Sequence, residues 1–104
     1  MKEKIFTWAG RIQNHPGHDL ITAYLTVDIQ HSTKWTQELL QKIETVKSGQ
    51  IAKWERAGNV YHLHIHPTHI EIETDFDDIP TDIGKIPLEE FATAVTAWQI
   101  FITS

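Results

Sequence analysis

Ile51-Ala52-Lys53-Trp54-Glu55-Arg56-Ala57-Gly58-Asn59-Val60-Tyr61-His62-Leu63-His64-Ile65-His66-Pro67-Thr68-His69-Ile70-Glu71-Ile72-Glu73-Thr74 decides the fold. Residues two apart on a strand share a face. The stretch predicts three short strands, Ile51–Arg56, Val60–His66 and Ile70–Thr74. Gly58-Asn59 is a two-residue hairpin signal, and Pro67-Thr68 marks a second turn. Pairing across both turns puts Trp54, Leu63 and Ile72 in one apolar row, with Ala52, Ile65 and Ile70 in the next. The opposite face carries Glu55, His62 and Glu73, then Lys53, His64 and Glu71. A slip of one residue would mix the two sets, so their separation supports an antiparallel meander.

Helical signals flank the meander. Upstream, Trp35, Leu39, Ile43 and Val46 recur at helical spacing within Lys34–Lys47, with Leu40 beside them. Ser32 or Thr33 can cap that helix, and Gly49 suits the left-handed position after it. Downstream, Pro87 fits a first helical position, and Glu89 and Glu90 favour a helix N-terminus. Leu88, Phe91, Val95, Trp98 and Ile102 form the stripe of this final helix. Nearer the N-terminus, Ile21 to Val27 is rich in β-branched and aromatic residues and predicts a strand. Lys4–Ile12 predicts its partner, across a loop holding Asn14, Pro16 and Gly17. The expected order is β-β-α-β-β-β-α: one α+β domain over residues 1–104, with about five antiparallel strands and two helices on the apolar face. Trp35, Trp54 and Trp98 fall on apolar faces and are expected in the core. Trp8 is assigned to neither core nor surface.

Composition sets the outer limits. A chain of 104 residues, 40% hydrophobic and 22% charged, fits one globular domain. No apolar run approaches the ~20 residues of a membrane span. The N-terminal stretch lacks the apolar core of a secretory signal. With no cysteine, disulfides, thiol catalysis and Cys-based zinc sites are excluded, and a reducing cytoplasm is the expected compartment. The net charge of −5 is uneven: residues 71–104 hold eight acids against one lysine, and all eight lie between Glu71 and Glu90. Such a lobe repels nucleic acid and anionic membranes and attracts basic protein surfaces. A solvated loop kept for solubility accounts equally well for the composition.

Three features invite a chemical reading. His62, His64 and His66 alternate, so three imidazoles line one side of a strand, where zinc or copper could bind with Glu71 adding an oxygen. The competing reading, favoured by the register, pairs these histidines with glutamates across an exposed polar face, with no metal or other cofactor. His62, His64 and Lys53 have the residue types of an acid–base set. However, Glu55, Glu71 and Glu73 beside them would repel a phosphodiester, and no phosphate loop, nucleophile elbow or His-Glu-x-x-His motif is present. The chain is therefore expected not to be an enzyme. The stretch Asp75 to Asp82 lacks the glycine and terminal glutamate of a calcium loop. Its acids suit an interface, while Phe76 and Ile79 are expected to fold onto the core. Arg56 is read as structural, or as an ion-pair partner of the acidic segment.

The hairpin Trp54-Glu55-Arg56-Ala57-Gly58-Asn59-Val60-Tyr61-His62-Leu63, followed by an acidic loop and Pro87-Leu88-Glu89-Glu90-Phe91, resembles a small bacterial family of uncharacterised proteins typified by YacL. They share a Trp-x-Arg-Ala-Gly-x-x-Tyr-x-Leu hairpin and a final helix ending in aromatics. The layout is also similar to immunity proteins of contact-dependent growth inhibition systems. These small, usually acidic proteins bind and neutralise a cognate toxin domain, often a nuclease, in the cytosol. The resemblance covers residues 33–102, and its motif residues speak for fold. It implies a protein-binding role with a basic toxin domain as partner. Charge layout then nominates Glu71, Glu73, Asp75, Asp77, Asp78 and Asp82 as contacts, with His62 and His64 adjoining. The alternatives are a regulatory or adaptor domain and a His-rich metal-binding protein.

Overall fold

The computed structural model describes residues 5–74 and 85–104. Its sheet is antiparallel with four strands in sequential order: β1 (Trp54–Ala57), β2 (Tyr61–Ile65), β3 (His69–Thr74) and β4 (Ile86–Pro87). Three helices accompany it: α1 (Pro16–Tyr24), α2 (Thr33–Lys47) and α3 (Leu88–Thr103). A π-helical segment, Leu25–Ile29, extends α1. The α+β class stands, whereas the expected five strands and two helices give way, among the described residues, to four and three.

The N-terminal strand pair is the main correction. Residues 5–15 form loop with turns at 9–10 and 13–14, and Ile21–Val27 is helical. The β-branched and aromatic residues of Ile21 to Val27 are what predict a strand there. The buried set is instead Leu20, Ile21, Tyr24, Leu25 and Ile29, which is helical spacing. Pro16 occupies the first turn of α1, and the His15 side chain caps it by accepting the His18 N–H at 3.2 Å. Pro16 and Gly17 therefore start a helix where a loop was expected.

The second helix matches its prediction closely. Ser32 Oγ accepts the Trp35 N–H at 3.1 Å, and Gly49 has φ +85° just past the end. Trp35 is a correction: its side chain is 39% exposed, and Thr36 takes the buried position. The Arg56 guanidinium lies over the Trp35 ring, 4.3 Å from its centroid. Trp98 is buried as expected, Trp54 is half-buried, and Trp8 is buried at 6% exposure. Pro87 ends β4 and caps α3 from one residue outside it. Ile86 pairs with Ile70, which ties the start of α3 to the sheet.

Leu63, Ile65, Ile70, Ile72 and Ile86 form the apolar face of the sheet, and α2 and α3 cover it. Tyr24 meets Phe91 and Tyr61 at the centre of this layer. The Trp98 indole N–H donates to the Gln30 carbonyl at 2.8 Å. Gln30 ends the π-helical segment with φ 57° and ψ −147°, a conformation that glycine adopts far more readily than any other residue. Burial pushes the Tyr24 hydroxyl up to about 12, with the Arg56 guanidinium pulling the other way.

Candidate functional site: an imidazole–carboxylate sheet face

The second hairpin has the predicted register: His62 opposes Glu73, Leu63 opposes Ile72, and His64 opposes Glu71. The first hairpin is shifted by two residues. Arg56, not Trp54, opposes Leu63, and Glu55 opposes His64. A shift of two keeps every side chain on its expected face.

The shift has a specific cause in Asp28, which is 5% exposed. Its carboxylate accepts the Val60 N–H at 3.0 Å and the Tyr61 N–H at 2.8 Å. The Gly58 N–H donates to the Tyr61 carbonyl at 2.8 Å. The tight loop is therefore Asn59-Val60, one residue beyond Gly58-Asn59. Gly58 is needed for a steric reason, because a Cβ there would sit 2.3 Å from Asp28 Oδ2. Only the absent side chain lets the carboxylate reach the amides.

The polar face collects four imidazoles and three carboxylates in two groups. In the first, Glu55 Oε1 lies 3.1 Å from His62 Nε2 and 3.2 Å from His64 Nδ1. The two rings stack with centroids 4.3 Å apart. Glu73 flanks this group, 3.5 Å from His64 Nε2, and Lys53 Nζ lies 3.9 Å from the other Glu55 oxygen. In the second, Glu71 Oε1 lies 3.3 Å from His66 Nε2 and 3.4 Å from His69 Nε2. These rings stack at 4.5 Å with planes 15° apart. In each group the three donor atoms lie within 4.8 Å of one another.

The structure thus divides the predicted row of three histidines. His62 and His64 belong to Glu55, whereas His66 turns to His69 and Glu71. The predicted third strand begins at Ile70, whereas β3 begins at His69. The signal was present, since His66 and His69 bracket the two-residue Pro67-Thr68 turn and must face each other across it. Of the nominated contacts, Glu71, Glu73, His62 and His64 share this face. Asp75, Asp77, Asp78 and Asp82, together with Phe76 and Ile79, which were expected on the core, lie outside the described residues. Away from this face, the buried His18 joins its Nε2 to the Glu90 carboxylate and accepts the Ile12 N–H at Nδ1, 3.0 Å away. This pair fastens α1 to α3 and is structural. Among the described residues, no helix is long and apolar enough to cross a membrane.

No curated protein and no solved structure matches the chain. The model of an uncharacterised protein family, UPF0231, matches residues 6–85, a span that includes both hairpins and every imidazole of the polar face. Since that match covers well over half of its length, the chain belongs to the uncharacterised protein family UPF0231.

Proposed function

We propose that this chain is a protein-binding domain of the immunity type, which neutralises a toxic nuclease-like domain by covering its basic surface in the cytoplasm. The observation that carries this reading is the sheet face itself. Glu55 on β1 and Glu71 and Glu73 on β3 project from the two strands that flank β2, with side-chain exposures of 41%, 39% and 64%. The chain then runs directly from Glu73 into Asp75, Asp77, Asp78 and Asp82. Carboxylates held on a rigid sheet steer a basic partner and set its approach. Affinity needs an apolar anchor as well. The half-exposed Trp35, stacked on Arg56 beside the edge strand β1, is of the residue types that dominate such contacts.

Calorimetric titration with the toxin-like C-terminal domain encoded beside this gene, at low and high salt, tests the reading. One-to-one binding that weakens with salt supports it. Reversing Asp77 and Asp78 to Lys should then slow association and flatten its salt dependence, with thermal stability unchanged. Absence of binding refutes the immunity role. An adaptor with a housekeeping partner would use the same face, and it predicts a growth phenotype that needs no toxin.

A further inference from the structure

The geometry points to His66, His69 and Glu71 as a binding site for a divalent first-row transition metal, zinc being the probe. Ligands bound tetrahedrally at about 2.0–2.2 Å lie about 3.3–3.5 Å apart. Glu71 Oε1 stands 3.3 Å from His66 Nε2 and 3.4 Å from His69 Nε2, already at that spacing. Both histidines present the same nitrogen to the same oxygen from stacked rings.

The support for this arrangement is built into the turn. The His66 N–H donates to the His69 carbonyl at 2.8 Å, which fixes the two α-carbons across Pro67-Thr68. Thr68 Oγ1 lies 3.2 Å from His69 Nδ1. In the tautomer whose Nδ1–H donates to that hydroxyl, the Nε2 lone pair faces a carboxylate oxygen. Two lone pairs so placed repel unless a cation lies between them. A hydrogen-bond acceptor on the far ring nitrogen is also what orients metal-ligating histidines. Among the described residues, no Lys or Arg pairs with Glu71, so no side-chain ammonium or guanidinium competes for it. The Glu55–His62–His64 group differs there, because Lys53 sits 3.9 Å from Glu55 and its charge opposes a metal ion. Two imidazoles and a carboxylate leave the remaining coordination positions to water or to a donor from another molecule.

The test is zinc titration of the full chain against a competing chromophoric chelator, with cobalt substitution as a second readout. The expected result is one equivalent bound with a micromolar or tighter Kd. His69→Ala and Glu71→Gln should each weaken binding about 10- to 100-fold or more. The double variant His62→Ala/His64→Ala should stay within about threefold of wild type, by the additivity of separate sites. Cobalt should give the intense visible bands of a low-coordinate site, and these should vanish in His69→Ala. Far-ultraviolet circular dichroism of each variant separates loss of ligand from loss of fold. Wild-type binding weaker than about 100 μM, on the order of 5.5 kcal/mol of binding free energy, would overturn the assignment. So would an unchanged Kd in His69→Ala, or a loss confined to the His62/His64 variant.

Discussion

Replacing Asp28 by Ala should destabilise the chain strongly for a single substitution. The carboxylate accepts two backbone N–H groups, from Val60 and Tyr61. Hydrogen bonds to a charged acceptor contribute about 1.5–3 kcal/mol each. Relief of the buried charge and water entry at the half-buried loop offset part of this, leaving an expected loss of about 2–4 kcal/mol. For a domain near this size, that lowers Tm by on the order of 10–20 °C. Asp28→Asn keeps one carbonyl acceptor and should lose about half as much. Urea unfolding followed by tryptophan fluorescence gives the free energies. Gly58→Ala supplies the decisive comparison, because its Cβ would meet Asp28 Oδ2 at 2.3 Å. It should be costly in the wild type and markedly less so beside Asp28→Ala, with a coupling of about 1 kcal/mol or more. Strict additivity, or a loss below about 0.5 kcal/mol for Asp28→Ala, would refute the reasoning.

Tyr24 ionises only near pH 12 in the folded chain. Its stabilising effect is therefore whole below pH 10, the ordinary tyrosine value, and is lost as pH rises towards 12. Tyr24→Phe should remove that alkaline loss, as followed by urea midpoints from pH 9 to 12. Trp35→Ala should cost about 1–2 kcal/mol, from the Arg56 stacking and partial ring burial, against about 3–5 kcal/mol for Trp98→Ala. Equal urea midpoints for the two variants would contradict the placement of Trp35 at the surface. Gln30→Gly should raise stability by about 1 kcal/mol, because it relieves a backbone conformation costing about 1–3 kcal/mol while adding chain entropy to the unfolded state. A lower Tm in that variant would show that the Gln30 side chain contributes more than its backbone costs.

The parts of the fold that were legible in the sequence are those with one dominant period. In β2 and β3, apolar and polar residues alternate without exception from Tyr61 to Glu73 once the Pro67-Thr68 turn is allowed, and their register follows. In α2, the cap, the Leu39, Ile43 and Val46 stripe and the terminal glycine agree, and only Trp35 departs. Ile21–Val27 failed because two signals conflict there: its β-branched and aromatic residues favour a strand, while Leu20, Ile21, Tyr24 and Leu25 repeat helically. Tertiary packing selected the second, and Pro16 was the local signal for it. The two-residue shift of the first hairpin could not be read locally. It is imposed by Asp28, some thirty residues away, whose role depends on the π-helical segment that carries it. Within the site, Glu71, Glu73, His62 and His64 were found by parity. Glu55 was placed on the correct face but in the wrong row, and His69 falls between the predicted turn and the predicted strand.

The two imidazole groups consequently depend on different parts of the chain. Glu55 reaches both His62 and His64 because the first hairpin is held two residues out of its simplest register, and Asp28 holds it there from the opposite side of the sheet. His66, His69 and Glu71 depend instead on the Pro67-Thr68 turn and on β3, whose Ile70 is clamped by Ile86 before α3 begins. A perturbation at Asp28 should therefore loosen the Glu55 group while leaving the second group's donor spacing intact. In Asp28→Ala, imidazole resonances of His62 and His64 should shift, those of His66 and His69 should stay in place, and zinc affinity should remain within about threefold of wild type. Shifts spread evenly over all four rings would mean that the sheet responds as one rigid unit, and that the separation of the two groups carries no energetic weight.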